Sequence, residues 1–467
     1  MPPQSPAQSL ALNIPALRAA YGSGELAPVQ VMEQVLAHIE AQGDDHRWIL
    51  RRPATTILDE ARALEHRPRD LPLWGVPFAV KDNYDVAGLP TTAACPAYSY
   101  LPSETAPTVQ ALLDAGAILI GKTNLDQFAT GLAGVRSPHG VARNAFAPHH
   151  VPGGSSAGSA AVVGAGLVSF ALGSDTAGSG RVPAGFNNVV GIKPTLGYLS
   201  ARGMIPACRS IDTASVFALS VEEGMEITRL MAGFDPGDAY SRQAPAWFSR
   251  ALPDPELLTQ RGSFRFAVPA RDQRKFFGNT EYERLYDQAI ARVEARGGQA
   301  VEIDFAPWVE AGDQLYAHRF AERVADLGAF IKSHPGDVLP VITKALTPAF
   351  SQDAPGAFKA LHRLAALAQM IRPVWQWADF LLVPTAGTCW TIAELEEDPM
   401  SRNAQLGYYV NFVNMLDQAA IAVPSGFTPD GVPFGVCLVG PAWSDGRLAG
   451  HASAFHAAML ASGAEIG

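Results

Sequence analysis

Apolar positions recur at helical spacing over residues 14–42, first at Ile14, Leu17 and Tyr21 and then at Val29, Met32, Val35 and Ile39, so the chain opens with helices. Downstream the pattern changes to short apolar runs of strand length at 76–80, 117–120, 168–172, 189–192, 264–268, 380–383, 420–423 and 434–439. Helical segments such as 108–115 and 281–296 lie between many of them. This alternation predicts an α/β fold, with helices on both faces of a mostly parallel or mixed sheet. Strand signals concentrate in 70–270 and 375–440. Between about 300 and 375 the pattern is helical, as expected of a lid or substrate-binding insertion on one large unit spanning 1–467.

Composition narrows the class. The 467 residues are 48% hydrophobic and 17% charged, which means a large core and few solvated arms. A net charge of −10 with no local Lys/Arg cluster argues against nucleic acid as a partner. Cys95, Cys208, Cys389 and Cys437 are far apart, and no Cys/His spacing suggests zinc or another metal. Buried free thiols in a reducing cytosol follow. The N-terminus lacks the basic and apolar blocks of a signal peptide. The most apolar run, 160–173, is too short and too glycine-rich to cross a membrane. A soluble cytoplasmic protein without a cofactor is expected.

Three segments place small polar residues where core packing does not ask for them. In VPFAVKDNYDV, Lys81 sits at the carboxyl end of a strand run, where open α/β sheets bind ligands, with Asp82 and Asn83 following. Burial there disfavours the charged amine and would bring a lysine near pH 7, where it serves as a general base. GGSSAGSA carries Ser155, Ser156 and Ser159 at the start of a helix. In LGSDTAGSGRVPA, Thr176, Ala177 and Gly178 precede Ser179. Small residues leave consecutive N–H groups free to hold an oxyanion, with Ser179 at the end of the arc as a nucleophile.

Two other readings of these residues fall short. Residues 154–158 fit the G-x-S-x-G nucleophile elbow, but APHHVPGG precedes them as a loop and not as the strand that an elbow needs. A phosphate loop would need GK[ST] at its end, which is absent. His149 and His150 read as loop residues.

In order, AVKDN, GGSSAGS and GSDTAGSGR resemble the amidase signature family and its Ser–cisSer–Lys triad, from about residue 15 onward. The resemblance implies one α/β domain around a mixed sheet of about eleven strands. It makes Ser179 the acyl nucleophile, Ser155 the bridging serine after a cis peptide at Gly154, and Lys81 the base. The N–H groups of Thr176, Ala177, Gly178 and Ser179 would form the oxyanion hole. Ser156 and Ser159 would cap and pack the following helix. Family members are often homodimers.

Within the family, TTAACPAYSYLPSETAPTV and GKTNLDQFATGLAGVRSPHG are most similar to the allophanate hydrolases of urea breakdown. That implies a small anionic amide as substrate and ammonia as a product. It also implies that the C-terminal domain of longer relatives is absent from this chain. A carboxylate calls for a cation, ideally a bidentate arginine. In QLYAHRFAERVADL, Tyr316, Arg319 and Arg323 fall on one helix face. By resemblance Tyr316 and Arg323 hold the substrate, with Arg319 as a substitute and Gly131 approaching through its backbone. Arg136 and Arg181 are further cations near the motifs, each also able to pair with a carboxylate such as Asp175. A broad or aryl amidase, and the subunit releasing ammonia from glutamine, are the alternatives within the family.

Overall fold

In the computed structural model, which describes residues 11–248 and 263–461, one sheet runs through the molecule in the order β1-β3-β2-β4-β6-β5-β10-β11-β9-β7-β8. Its strands are β1 (Trp48–Arg51), β2 (Pro77–Lys81), β3 (Ile118–Thr123), β4 (Phe170–Asp175), β5 (Val190–Lys193), β6 (Thr213–Ala218), β7 (Phe264–Pro269), β8 (Gly298–Ile303), β9 (Phe380–Pro384), β10 (Gln418–Phe427) and β11 (Pro433–Pro441). The sheet is mixed: β2 is parallel to β3 and β4, β7 is parallel to β8 and β9, and the remaining pairs are antiparallel. Helices flank it, among them Ala157–Gly164 against β4, Val221–Met231 against β5 and β6, and Asp445–Ala461 against β10 and β11. No helix among the described residues is long and apolar enough to cross a membrane.

All eight apolar runs seen in the sequence are strands, with ends moved by a few residues. The central run begins and ends later than expected, so β4 continues through Gly173 and Ser174 to Asp175. Three strands carry no clear apolar run. β1 is a four-residue edge strand, β8 is a half-exposed edge strand, and β6 mixes Thr213 and Ser215 into its buried stretch. β8 also corrects the expected helical segment: residues 300–303 are strand, and the helices begin at Ala306.

One feature of the topology sets up the site. β2 and β4 are parallel neighbours in the register Phe78↔Phe170 and Val80↔Leu172. Their carboxyl ends therefore emerge side by side at one edge, bringing Lys81 next to the turn that follows Asp175. Every residue of both strands is buried.

Candidate active site

Lys81 closes β2 and is fully buried. Its Nζ lies 2.8 Å from Ser155 Oγ and 2.8 Å from Ser174 Oγ. Ser155 Oγ in turn lies 3.0 Å from Ser179 Oγ. The three residues of the expected triad thus form one continuous chain of hydrogen bonds. Ser155 follows a cis peptide bond at Gly154. Its carbonyl accepts from the Asp126 N–H (3.0 Å), and the Gly154 N–H donates to the Leu132 carbonyl (2.8 Å). The Asp126 carboxylate accepts from the N–H groups of Gly134 (3.1 Å) and Arg136 (2.7 Å), so it organises the same loop from beneath.

Burial pushes the Lys81 ammonium down to about 7, opposed by the charges of Asp126, Asp212 and Asp175. Asp82 is not free to serve Lys81, because it pairs with buried Lys122 at 2.8 Å and holds Thr92. The base therefore stands among hydroxyls, with its counter-charges further off. A chain of hydroxyls that both donate and accept can relay a proton from Ser179 to the amine.

The turn after β4 presents its N–H groups as expected. Those of Thr176, Ala177, Gly178 and Ser179 have no protein acceptor among the described residues, whereas the Gly180 N–H is taken by Asp175 Oδ2 at 2.9 Å. Gly178 has φ 149°, and a Cβ there would come within 2.7 Å of a Val410 methyl. Only glycine meets both demands. Arg181 anchors the turn from the buried side, through Nε and Nη2 to the two oxygens of Asp175 at 2.9 Å each. Burial pushes the Asp175 carboxyl up, and Arg181, Lys193 and the Gly180 N–H together more than reverse this, leaving it below the usual carboxylate range. Of the two roles open to Arg181, the structural pair is the observed one.

Ser179 opens onto a cavity of about 230 Å³, lined among others by Thr130, Gly131, Arg136, Thr176, Ala177, Tyr316, Phe320, Arg323 and Asn403. Arg323 is buried and donates from Nη1 to Thr130 Oγ1 (2.7 Å) and from Nε to the Ala207 carbonyl (2.9 Å). Arg136, also buried, donates to the carbonyls of Thr130 (3.1 Å) and Pro399 (2.8 Å). Among the described residues neither guanidinium has a carboxylate within 4.0 Å. Two buried cations thus line the cavity without a direct ion pair, with Asp126 acting on Arg136 and Asp212 facing Arg323 from further off. Gly131 lines it as well, and a Cβ there would lie 2.4 Å from Asp126 Oδ2.

Arg319 is not brought to this cavity. Residues Leu315–Arg319 form a turn of π-helix ahead of the helix Phe320–Ser333. Tyr316, Phe320 and Arg323 line the cavity and Arg319 does not. Its guanidinium is instead tied to Glu322 (3.0 Å) and to Ser210. Ser156 also departs from its expected role. It occupies the N-cap without making a cap hydrogen bond, and its hydroxyl pairs with the backbone of Ser174 in β4. Ser159 packs the helix as expected, bonding the Leu172 carbonyl (2.9 Å) and Thr123 Oγ1 (2.7 Å). His149 and His150 lie outside the cavity.

Two groups at the site went unread in the sequence. Ser174, the second hydroxyl on Lys81, lay beyond the apparent end of its apolar run. Asp212 accepts from the hydroxyl of Thr176 at 2.5 Å and precedes a strand that gave no apolar signal.

Comparison with known proteins adds to this geometry. A family model described as Amidase matches residues 30–449. The chain is 39% identical over 432 residues to urea amidolyase of Saccharomyces cerevisiae, aligning 91% of its own length but spanning only 23% of that protein. It is 31% identical to a glutamyl-tRNA(Gln) amidotransferase chain of Acidobacterium capsulatum, covering 92% of the chain and 95% of that protein. The crystal structure of Kluyveromyces lactis allophanate hydrolase superposes with a TM-score of 0.90 at 37% identity, over 98% of this chain and 74% of that one.

Proposed function

The chain belongs to the amidase family, and from that premise we propose that it hydrolyses the terminal amide of allophanate, releasing ammonia through an acyl-enzyme on Ser179. Ser179 Oγ attacks the carboxamide carbon while its proton passes through Ser155 to neutral Lys81. The oxygen that gains charge meets the N–H groups of residues 176–179. As the C–N bond breaks, the proton returns from Lys81 through Ser155 to the departing nitrogen, which leaves as ammonia. Water then adds to the acyl carbon by the same relay and frees Ser179.

The observation that carries the choice of substrate is the pair of buried guanidiniums, Arg323 and Arg136, that line the cavity without a direct ion pair among the described residues. A small amide bearing a carboxylate supplies a direct partner, with Arg323, Tyr316 and Gly131 as its contacts. The helical segment that carries Tyr316 and Arg323 is the substrate-binding part of the domain in this reading. The homodimer and the cytoplasmic location belong to the same proposal, and light scattering on the purified chain tests the first. Ammonia release from allophanate, compared with glutamine and a neutral aryl amide, tests the activity. Turnover of the neutral amide with none from allophanate would overturn the substrate. Release from glutamine alone would favour the amidotransferase reading, to which the alignment along nearly the whole of the Acidobacterium capsulatum chain gives weight.

A further inference from the structure

Asp212 lies outside the three sequence motifs, yet it touches both halves of the site. Its buried carboxylate accepts three hydrogen bonds: from the Thr176 hydroxyl to Oδ1 (2.5 Å), from the Cys208 N–H to Oδ1 (3.1 Å) and from the Ala207 N–H to Oδ2 (2.6 Å). Thr176 opens the oxyanion turn. Ala207 supplies the carbonyl that takes Arg323 Nε at 2.9 Å, and Cys208 Sγ lies 3.9 Å from Arg323 Nη2. No basic group lies within 4.0 Å of Asp212 among the described residues, so its charge is not consumed by an ion pair. A buried carboxylate held only by neutral donors is costly unless its geometry or its charge is used.

We propose that Asp212 is a positioning residue for the reaction assigned above, locking the oxyanion turn to the loop that anchors the Arg323 guanidinium. The proposal rests on that functional reading, because it takes Ser179 as nucleophile and Lys81 as base. Its charge has a second consequence. Lys81 is faced by Asp126, Asp175 and Asp212 on the negative side and by Arg323 on the positive side. Asp212 is itself faced by Arg323, and its charge is also felt by the Cys208 thiol and the Tyr84 hydroxyl. Neutralising Asp212 therefore lowers the proton affinity of Lys81 and moves the acid limb of the reaction to lower pH. Burial pushes Asp212 up to about 6, so it is ionised at neutral pH, and its own protonation below that value lowers the proton affinity of Lys81 and flattens the wild-type limb.

The test is D212N in the full chain, read in two ways. One is ammonia release from allophanate. The other is the pH dependence of Ser179 labelling by a neutral fluorophosphonate, which does not use the arginine wall. An asparagine amide must face either the Ala207 or the Cys208 N–H, donor against donor, so the loop that anchors Arg323 loosens. The expected result is a rise of about tenfold in KM for allophanate, a smaller fall of about threefold in labelling, and a labelling limb about half a unit lower in pH. D212E keeps the charge and should leave the limb near its wild-type position. D212S, which is neutral and leaves room for water, carries the neutral arm if D212N does not fold. An unchanged KM and limb in the neutral variants would overturn the proposal. So would equal losses toward allophanate and probe with the limb unmoved, since that is the mark of a merely structural residue. A wild-type chain that labels at Ser179 but releases nothing from allophanate overturns the substrate instead, and the labelling limb still decides Asp212.

Discussion

The floor and the roof of the cavity are built on different principles. The floor is the end of β2, the end of β4 and the turn 176–179, all rooted in the central sheet, with Lys81, Ser155 and Ser174 at most 1% exposed. The roof is the helix Phe320–Ser333 with the helix Pro340–Leu346 that follows it. There the helix Phe320–Ser333 packs Leu327 and Ile331 with Val338, Ile342 and Leu346 into a small core of their own, against Ala93, Cys95, Phe128 and Ile205. Polar contacts close the gap between the two: Arg323 to Thr130 and Ala207, Glu322 to Ser210, and Gln127 to Asp337 and Leu339. A floor set in the sheet fixes the chemistry to tenths of an ångström. A roof with a separate core can change its side chains without disturbing the triad. This is the physical basis on which one fold serves many substrates.

The largest expected effects break the floor. S179A and K81A should each lower ammonia release by about a thousandfold or more, because the nucleophile and its base act as one unit. Steady-state assays on folded variants check this, and substantial turnover by K81A would remove Lys81 from its role. A roof change should behave differently. R323A should lower kcat/KM for allophanate about 100-fold, as truncating one partner of a buried charge contact does, yet leave fluorophosphonate labelling of Ser179 within a few-fold of wild type. Equal losses in both assays would mean that floor and roof are not separable.

The same contrast governs what the sequence reveals. The floor is legible because its chemistry is local. A lysine closing an apolar run, and hydroxyls crowded among glycine and alanine, stand out against a core that asks for neither. The expected arrangement of Lys81, Ser155 and Ser179 is the observed one. Ser174 and Asp212 were missed because their signals sit where the strand pattern fails, past the visible end of β4 and just before the mixed polar strand β6. The roof is harder to read. Helical spacing places Arg319 beside Arg323, but tertiary partners decide which of them faces the cavity, and Arg319 is held by Glu322 and Ser210. Thr130 and Asn403 reach the cavity, and the Ala207 carbonyl reaches Arg323, from distant segments, through tertiary packing that no local pattern encodes.

Lys81 also separates function from stability within the floor. With burial holding it near 7, the amine must be neutral to accept a proton, so the rate should fall about tenfold per pH unit below that value and level off above it. A pH profile of kcat/KM checks this. Folding pays for the same shift. The unfolded chain binds the proton more tightly, so the penalty is full below about 7, shrinks as pH rises, and vanishes near the ordinary lysine value. K81M should therefore be inactive yet more stable, by about 1–2 °C in Tm at pH 6, with the gain fading toward pH 10. Its neighbours are not left bare, since Ser155 keeps Ser179 and Ser174 keeps Asn83 Nδ2 at 3.3 Å. A K81M chain less stable than wild type at pH 6 would show that the amine is held by contacts worth more than its desolvation.

The smallest expected effect is the sharpest test of the roof. Arg319 and Arg323 are four residues apart, both cationic and both largely buried, and α spacing alone would make them near-equivalent. Arg323 reaches the cavity and makes no direct ion pair among the described residues, whereas Arg319 is paired with Glu322 at 3.0 Å and bonded to Ser210. A pair of this kind at i,i+3, still partly open to solvent, contributes about 0.5–1 kcal/mol, and Glu322 keeps its bonds to the Ser210 N–H and hydroxyl when the arginine is gone. R319A should therefore leave kcat and KM for allophanate within about twofold of wild type and lower stability by no more than about 1 kcal/mol in urea unfolding. A KM raised tenfold would put Arg319 on the substrate after all. It would also mean that Arg319 exchanges Glu322 and Ser210 for the substrate on binding, so that the roof selects its cation only then.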